Sequence, residues 1–441
     1  MTEPFLPPLL IVADSPKALT ELCGISLLER MRRVAIQLGF REAMILSNSA
    51  KAMATHVGNE PWRRADVSLA FRERTGAKVT VGDILDCLAG LRMGSDKRIL
   101  IVFADFYCDE RLLRSLADAQ TDSVIIDSDP PSSIAPLLEN SDSHPSRLLC
   151  AALLSSEWLS RKNRAGTLVE EITSDAMAGH MARIDAARQQ AYVRSMRRSV
   201  RPIFFPAPSL ERRPLAERLL RDATQKGVLD FPALVHAPIE KWMVSHLCRT
   251  TITPNQITLG TAVLGLGVTL LYACGYLWPG VLLALVIGVL DGIDGKLARL
   301  KAQTSKLGKR EHDLDYFVET SWWIALAYHF QATDQIRYAY VIFFAFFAGH
   351  RLERMAIQAV QRRIGRNLDD FAPFDRLMRI VAGRRNIYTW LFAFFLVIGS
   401  PATGFIWLCF WGMASAVIHI VRALQIGLTG QDKVAPTSTS S

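Results

Sequence analysis

The sequence predicts a soluble α/β domain over residues 1–230, an all-α membrane domain of six helical spans over 236–425, and a disordered tail over 426–441. Three observations carry this reading. The chain has 441 residues, more than one ordinary domain takes up. Before residue 230, short apolar runs alternate with charged helical segments, the pattern of a sheet layered with helices. After about residue 250 the apolar stretches lengthen to roughly 20 residues, enough to cross a bilayer as helix.

In the first domain Leu9–Ala13, Ala43–Leu46, Ile99–Phe103, Val124–Ile126 and Leu148–Leu154 have the length and composition of buried strands. Ser26–Leu38 and Glu110–Asp118 read as helices between them, so the sheet is expected to be largely parallel. From Asp175 to Arg221 the chain reads as mostly helical and strongly basic. Arg194, Arg197, Arg198 and Arg201 are expected there on a solvated or membrane-facing surface. Ala237–Cys248, with Pro238 in its first turn, places Ile239, Trp242, Met243 and Leu247 on one side and suits a helix lying in a membrane interface. The candidate spans follow at about 256–276, 278–299, 313–331, 338–358, 387–400 and 402–424, each judged by the length a helix needs to cross hydrocarbon.

A net charge of +9 raises nucleic acid as a partner. In the second half, however, the basic residues stand beside apolar spans, so a phospholipid surface is expected and no nucleic acid. Lys296, Arg299, Lys301, Lys306, Lys309 and Arg310 lie between spans two and three. Arg362, Arg363, Arg366, Arg376, Arg379, Arg384 and Arg385 lie between spans four and five. The opposite loops carry only Arg337, so these two loops and both termini are expected in the cytoplasm of a multi-pass inner-membrane protein. The seven cysteines are scattered without a CxxC pair, which argues against zinc or a disulfide framework and for reduced thiols. Leu9–Ala13 is too short for a signal peptide.

The chemistry is concentrated between Asp291 and Asp315, in DGIDGKLARLKAQTSKLGKREHDLD. Asp291 and Asp294 are three apart and Glu311 and Asp315 four apart, so each pair shares a helix face. Four carboxylates together would repel or protonate without cations, and all-oxygen ligation suits Mg²⁺ or Mn²⁺. Two such ions would clamp a diphosphate and its leaving phosphate. Gly295 and Ala298, each four residues after an acid, clear space on the acidic face, and the guanidinium of Arg299 suits phosphate oxygens. His312, Asp313 and Glu319 stand close enough that Asp315 with Glu319 forms an alternative acid pair, and His312 an alternative base.

The string resembles the signature of the CDP-alcohol phosphotransferase family, D-x2-D-G-x2-A-R, a spacer, then G-x3-D-x3-D. Asp291, Asp294, Gly295, Ala298, Arg299 and Gly308 match. In the second half His312 and Tyr316 fall on the literal spacing, and the acids Glu311 and Asp315 each stand one residue short of it. Thr253-Pro254-Asn255-Gln256-Ile257-Thr258 is similar to the TPNxxT run of the same family. The resemblance covers about residues 240 to 425 and implies transfer of a substituted phosphate from a CDP-alcohol to a second, polar or phosphorylated alcohol, with release of CMP. It implies Asp291, Asp294, Glu311 and Asp315 as ligands of two ions, with Asp315 as general base. Gly295, Ala298 and Arg299 then bind the CDP-alcohol, Arg384 and Arg385 are candidates for an acceptor phosphate, and a homodimer is expected.

Ser15-Pro16-Lys17 with Gly24-Ile25-Ser26-Leu27-Leu28 resembles the opening of sugar nucleotidyltransferases, although only Asp14 and Ser15 stand where that family has a glycine-rich loop. The resemblance marks Lys17, Asp105 and Asp185 as its candidate site, in a domain that is either active or degenerate. The fusion resembles bifunctional enzymes that make a CDP-inositol and then consume it. A non-catalytic membrane protein binding cations or lipid headgroups is the rival class.

Overall fold

The structure is a computed structural model describing residues 6–59, 67–88, 98–138, 149–227, 230–303, 306–364 and 367–429; side chains at 59, 306–313, 370 and 428–429 are not among those described. Seven strands form the main sheet of the soluble domain: β1 Leu9–Val12, β2 Glu42–Ser47, β3 Ser68–Glu73, β4 Arg98–Phe103, β5 Ser123–Ile126, β6 Ala151–Ser155 and β7 Ala182–Asp185, in the order β7-β5-β6-β4-β1-β2-β3. β1 pairs in parallel with β2 and with β4, Leu9 lying against Ala43 and Leu100. β6 runs antiparallel to both of its neighbours, so the sheet is mixed. All four residues of β1 are buried, as the apolar run requires of a central strand.

The expected strands correspond to β1, β2, β4, β5 and β6, with Leu148 outside the described residues. The two strands without an apolar run, β3 and β7, are the two edges. An edge strand is half solvated and tolerates the exposed Arg183 or the alternation of SLAFRE, so it sends no strong apolar signal. Residues 182–206 were expected to be helical; they form β7 and short strand pairs instead.

Helix α1, Leu27–Leu38, starts at Ser26, whose hydroxyl accepts the backbone N–H of Glu29, and ends at Gly39 in the left-handed conformation. Helix α2, Arg213–Ala223, leads out of the soluble domain. Helix α3 covers Phe231–Leu247, with Asp230 as its N-cap and Pro232 in its first turn. Pro238 is therefore inside the helix, not at its start, because the capping signal sits at Asp230, two turns earlier. Phe231, Leu234, Val235, Ile239 and Trp242 form an exposed apolar stripe on α3, while His236, Glu240 and Val244 are buried.

The helical domain continues with α4 Pro254–Ala273, α5 Leu277–Leu300, α6 Lys306–Ala332, α7 Ala339–Ile364, α8 Pro373–Val381, α9 Arg385–Val397 and α10 Pro401–Thr429. Six of these stand where spans are expected. By length and composition two described helices can cross a membrane, Pro254–Ala273 and Pro401–Gly427, and Arg385–Val397 is apolar but short. α5 and α7 carry charge in their C-terminal halves. The last helix passes the expected boundary at 425, and the rest of the expected tail lies outside the described residues.

Thr253 caps α4 reciprocally: its hydroxyl accepts from Gln256 N at 3.0 Å, and its own N–H donates to Gln256 Oε1 at 2.9 Å. α4 and α6 approach closely at Gly265, where a Cβ would lie 2.3 Å from Val318 Cγ1, and Trp322 Nε1 donates to Gly265 O at 2.8 Å. The C-terminus of α5 meets the soluble domain. Arg30 Nη1 donates to Leu300 O at 2.7 Å and Arg33 Nη1 to Lys301 O at 2.9 Å, satisfying carbonyls that the helix itself leaves open.

Candidate active site

A cavity of about 560 Å³ opens where α5, α6, α7 and the α8–α9 corner meet the end of the soluble domain. Asp291, Asp294, Asp315 and Glu319 all line it, from α5 and α6. The three- and four-residue spacings explain why each pair shares a face. Glu311 lies on the first turns of α6 with its side chain outside the described residues, as are those of His312 and Asp313.

Asp294 is 3 % exposed and accepts the hydroxyl of Thr258 at Oδ2, 2.7 Å away. Its other oxygen accepts the N–H of Gly295 at 2.5 Å. Asp291 is paired with Arg385, Nη2 to Oδ2 at 2.6 Å. Arg385 therefore answers an acid on α5 and is not aligned with Arg384, which bonds Asp369 instead. Gly295 and Arg299 line the cavity and Ala298 does not. A Cβ on Gly295 would stand 3.3 Å from Arg299 Nη1, so the glycine lets that guanidinium lie back along the helix. Arg299 Nε is anchored on Thr224 O at the end of α2, 3.1 Å away.

Sequence reasoning missed several members of this site. Thr258 was legible as part of TPNQIT, but its bond to Asp294 spans 36 positions of sequence. Glu240 on α3 pairs with Lys296 on α5 at 2.6 Å, both nearly buried, and Gly292 makes room: a Cβ there would lie 2.4 Å from the Glu240 carboxyl. Asp369 receives Arg384 at 2.9 Å and Arg379 at 3.0 Å, with Arg197 of the soluble domain at 3.6 Å. Burial alone would raise the Asp369 carboxyl, but Arg384 and Arg197 hold it below its ordinary value. The cavity thus has an acidic end on α5 and α6 and an arginine-rich end around Asp369.

Among the described residues no three His, Cys, Asp or Glu groups stand close enough to ligate one ion. The donor set on the acidic wall is nonetheless carboxylate oxygen, the type that hard dications take, so Asp291, Asp294 and Asp315 fit such ions in kind.

The soluble domain arranges its candidate residues differently. Lys17 is exposed in a short turn after β1. Asp14, at the end of β1, is held by Arg74 through both carboxylate oxygens and accepts Asn48 N at 3.1 Å. Burial pushes the Asp105 carboxyl up, against the pull of Lys17. Asp185 caps a short turn through Ala187 N and accepts the Ser128 hydroxyl at 2.6 Å; burial would raise it, but these bonds hold it low. Asp105 follows β4 and Asp185 ends β7, with β5 and β6 between them, about 14 Å apart at the usual strand spacing of about 4.8 Å. The structure does not bring these two acids together.

Residues 251–421 match the CDP-alcohol phosphatidyltransferase family. That segment contains the whole acidic wall and both Arg384 and Arg385. Two curated proteins named "Bifunctional IPC transferase and DIPP synthase" are similar: one from Thermococcus kodakarensis at 42% identity over 86 residues, 19% of this chain and 20% of that protein, and one from Aquifex aeolicus at 27% over 149 residues, 33% of each. The chain thus aligns with a third or less of the length of these relatives. Among solved structures, phosphatidylinositol phosphate synthase of Mycobacterium tuberculosis with CDP-DAG bound covers 43% of this chain and 94% of its own at 16% identity, TM-score 0.33. The inositol-1-phosphate CTP transferase from T. maritima covers 49% and 98% at 10% identity, TM-score 0.33.

Proposed function

We propose that this protein is a membrane CDP-alcohol phosphotransferase that moves a substituted phosphate from a CDP-alcohol to the hydroxyl of an acceptor alcohol and releases CMP. One observation carries the reading: within the segment that matches the family, Asp291, Asp294 and Asp315, from two helices that both pack on α4, share one cavity with Arg299. In the reaction the acceptor oxygen bonds to the phosphorus bearing the donor alcohol, the bond from that phosphorus to the CMP oxygen breaks, and the hydroxyl proton passes to Asp315. Arg299 holds diphosphate oxygens. Mg²⁺ on Asp291, Asp294, Asp315 and Glu311, when bound, supplies the charge that stabilises the leaving CMP. The Thr258 hydroxyl keeps Asp294 turned toward the cavity.

Arg384 and Arg379 at the opposite end suit a phosphorylated acceptor of inositol-phosphate or glycerol-phosphate type. The positive charge of the two large loops supports a cytoplasmic site, and the outward apolar faces of α4 and α10 (Leu259, Val263 and Leu270; Val417, Val421 and Leu424) support lipid contact. α3, with its exposed stripe, then lies along the membrane surface. We read the soluble domain as making no CDP-alcohol of its own, because only Asp14 and Ser15 stand where a glycine-rich phosphate loop would be, and Asp14 is tied up by Arg74.

Purified protein with Mg²⁺ should release CMP when given a panel of CDP-alcohols and acceptors, with the product identified by mass. Absence of CMP with every donor, or full activity in Asp291→Asn, would return the protein to the class of non-catalytic cation or lipid binders.

A further inference from the structure

The basic segment of the soluble domain is only partly a solvated face: Arg194 is exposed, but Arg197 turns inward. Arg194 Nη2 donates to Gln361 O at 3.3 Å, and Arg194 O accepts from Asn367 Nδ2 at 2.7 Å, so this loop docks on the last turn of α7 and the segment that follows it. Gly227 N, just after α2, donates to Met196 O at 2.8 Å and braces the loop from behind. At its tip Arg197 adopts φ 49° and ψ 40°, a left-handed backbone that few residues other than glycine and asparagine accept. A strained tip held on both sides aims one side chain, and here it is aimed at Asp369.

Three guanidiniums, from Arg197, Arg379 and Arg384, therefore surround one carboxylate. Asp230 and Glu353 also line this cavity and act on Arg384, so the arginines here face more than one carboxylate. The Nε atoms of Arg379 and Arg384 are buried and have no hydrogen-bond partner among the described residues. Three clustered planar guanidiniums, two of them with spare buried N–H groups, match the oxygens of a phosphate monoester, which carries close to two negative charges near neutral pH.

We propose that the soluble domain completes the acceptor pocket of the helical domain, Arg197 joining Arg379 and Arg384 to bind the phosphate of a phosphorylated alcohol. This rests on the phosphotransferase reading above and gives the fused domain a task independent of any chemistry of its own. Asp369 holds the three side chains in register, and the acceptor phosphate shares them. Arg197 is a specificity-determining residue: it selects acceptors that carry phosphate and leaves the CDP-alcohol end untouched.

The test uses the full-length protein and the variants Arg197→Asn, which accepts the same left-handed backbone, and Arg197→Lys, which keeps the charge. With saturating CDP-alcohol, Arg197→Asn should raise the KM for inositol 1-phosphate or glycerol 3-phosphate at least tenfold. kcat and the donor KM should stay within twofold, with Arg197→Lys intermediate. Unchanged acceptor KM, or an equal rise in donor KM, overturns the assignment. Equilibrium dialysis with inorganic phosphate reads the pocket without turnover. Wild type should bind it and Arg197→Asn should bind at least tenfold more weakly; equal binding, or none by the wild type, also overturns it. Phosphate binding that depends on Arg197 in a protein releasing no CMP would sink the transferase reading and leave the pocket standing.

Discussion

Just after β1 in the soluble domain, Asp14 is paired with Arg74, and Asp105, after β4, and Asp185, at the end of β7, belong to strands that two others separate. In the helical domain, Asp291, Asp294, Asp315 and Glu319 line one wall of one cavity. Both regions are rich in acids; in the soluble domain Asp105 comes near Asp14 and Lys17 but not Asp185, whereas the helical domain gathers all four of these acids. Helical periodicity places acids on a face from local spacing alone, and two helices packed on the same neighbour, α4, then suffice to bring two pairs to one cavity. In a sheet the distance between two strand ends depends on strand order, which the whole topology sets.

The sharpest way to break this contrast is to neutralise one acid in each region. Asp291→Asn or Asp294→Asn should lower CMP release by about 10²–10³-fold, the usual loss when a preorganised charge is removed from a reacting site. Asp105→Asn should leave the rate within twofold. A comparable fall for Asp105→Asn would mean that the two regions act in one reaction. Separately, wild-type protein given CTP and a polyol phosphate should release no pyrophosphate, and release would restore the bifunctional reading.

Next in size is the seam between the regions. Arg30→Ala strips a charge-assisted bond from Leu300 O, and such bonds contribute about 1.5–3 kcal/mol. The thermal midpoint should fall, and the rate with it, since α5 carries the acids. Arg74→Ala should destabilise by about 1–3 kcal/mol through the loss of its bonds to Asp14 and the Lys78 carbonyl, yet leave CMP release per folded molecule unchanged.

The smallest effect is a pH dependence at Asp369. Its carboxyl is held below the ordinary value, so its stabilisation is fully present above the unfolded-state pKa, about 4 for an aspartate. It is lost as the pH falls through the lower folded value. The gap in melting temperature between wild type and Asp369→Asn should be constant from pH 7 to 5 and close only below about pH 4. A gap that closes near pH 6 would point to a histidine instead.

The parts of this site legible in sequence are those set by short spacing: Asp291 to Arg299 as one helical face, Thr253 as a cap, and the helices themselves. What was not legible depends on distant partners. Nothing near Arg385 indicates that it reaches Asp291, nor near Lys296 that it meets Glu240, because those pairs form only once α9 and α3 pack on α5. Arg197, within the basic run at 194–201, read as surface for the same reason: its partner, Asp369, lies more than 160 residues later. Edge strands β3 and β7 escaped notice because solvent on one side relaxes the demand for apolar residues.

The contacts of Arg30 and Arg33 at the end of α5 also bear on how such a fusion persists. Removing residues 1–230 would strip the terminal carbonyls of the acid-bearing helix of their donors and Arg299 of its anchor at Thr224. A gene shortened in that way would encode a transferase with a frayed helix at its centre. Selection on the second domain is therefore enough to retain the first as a folded subunit, whether or not it has a reaction of its own.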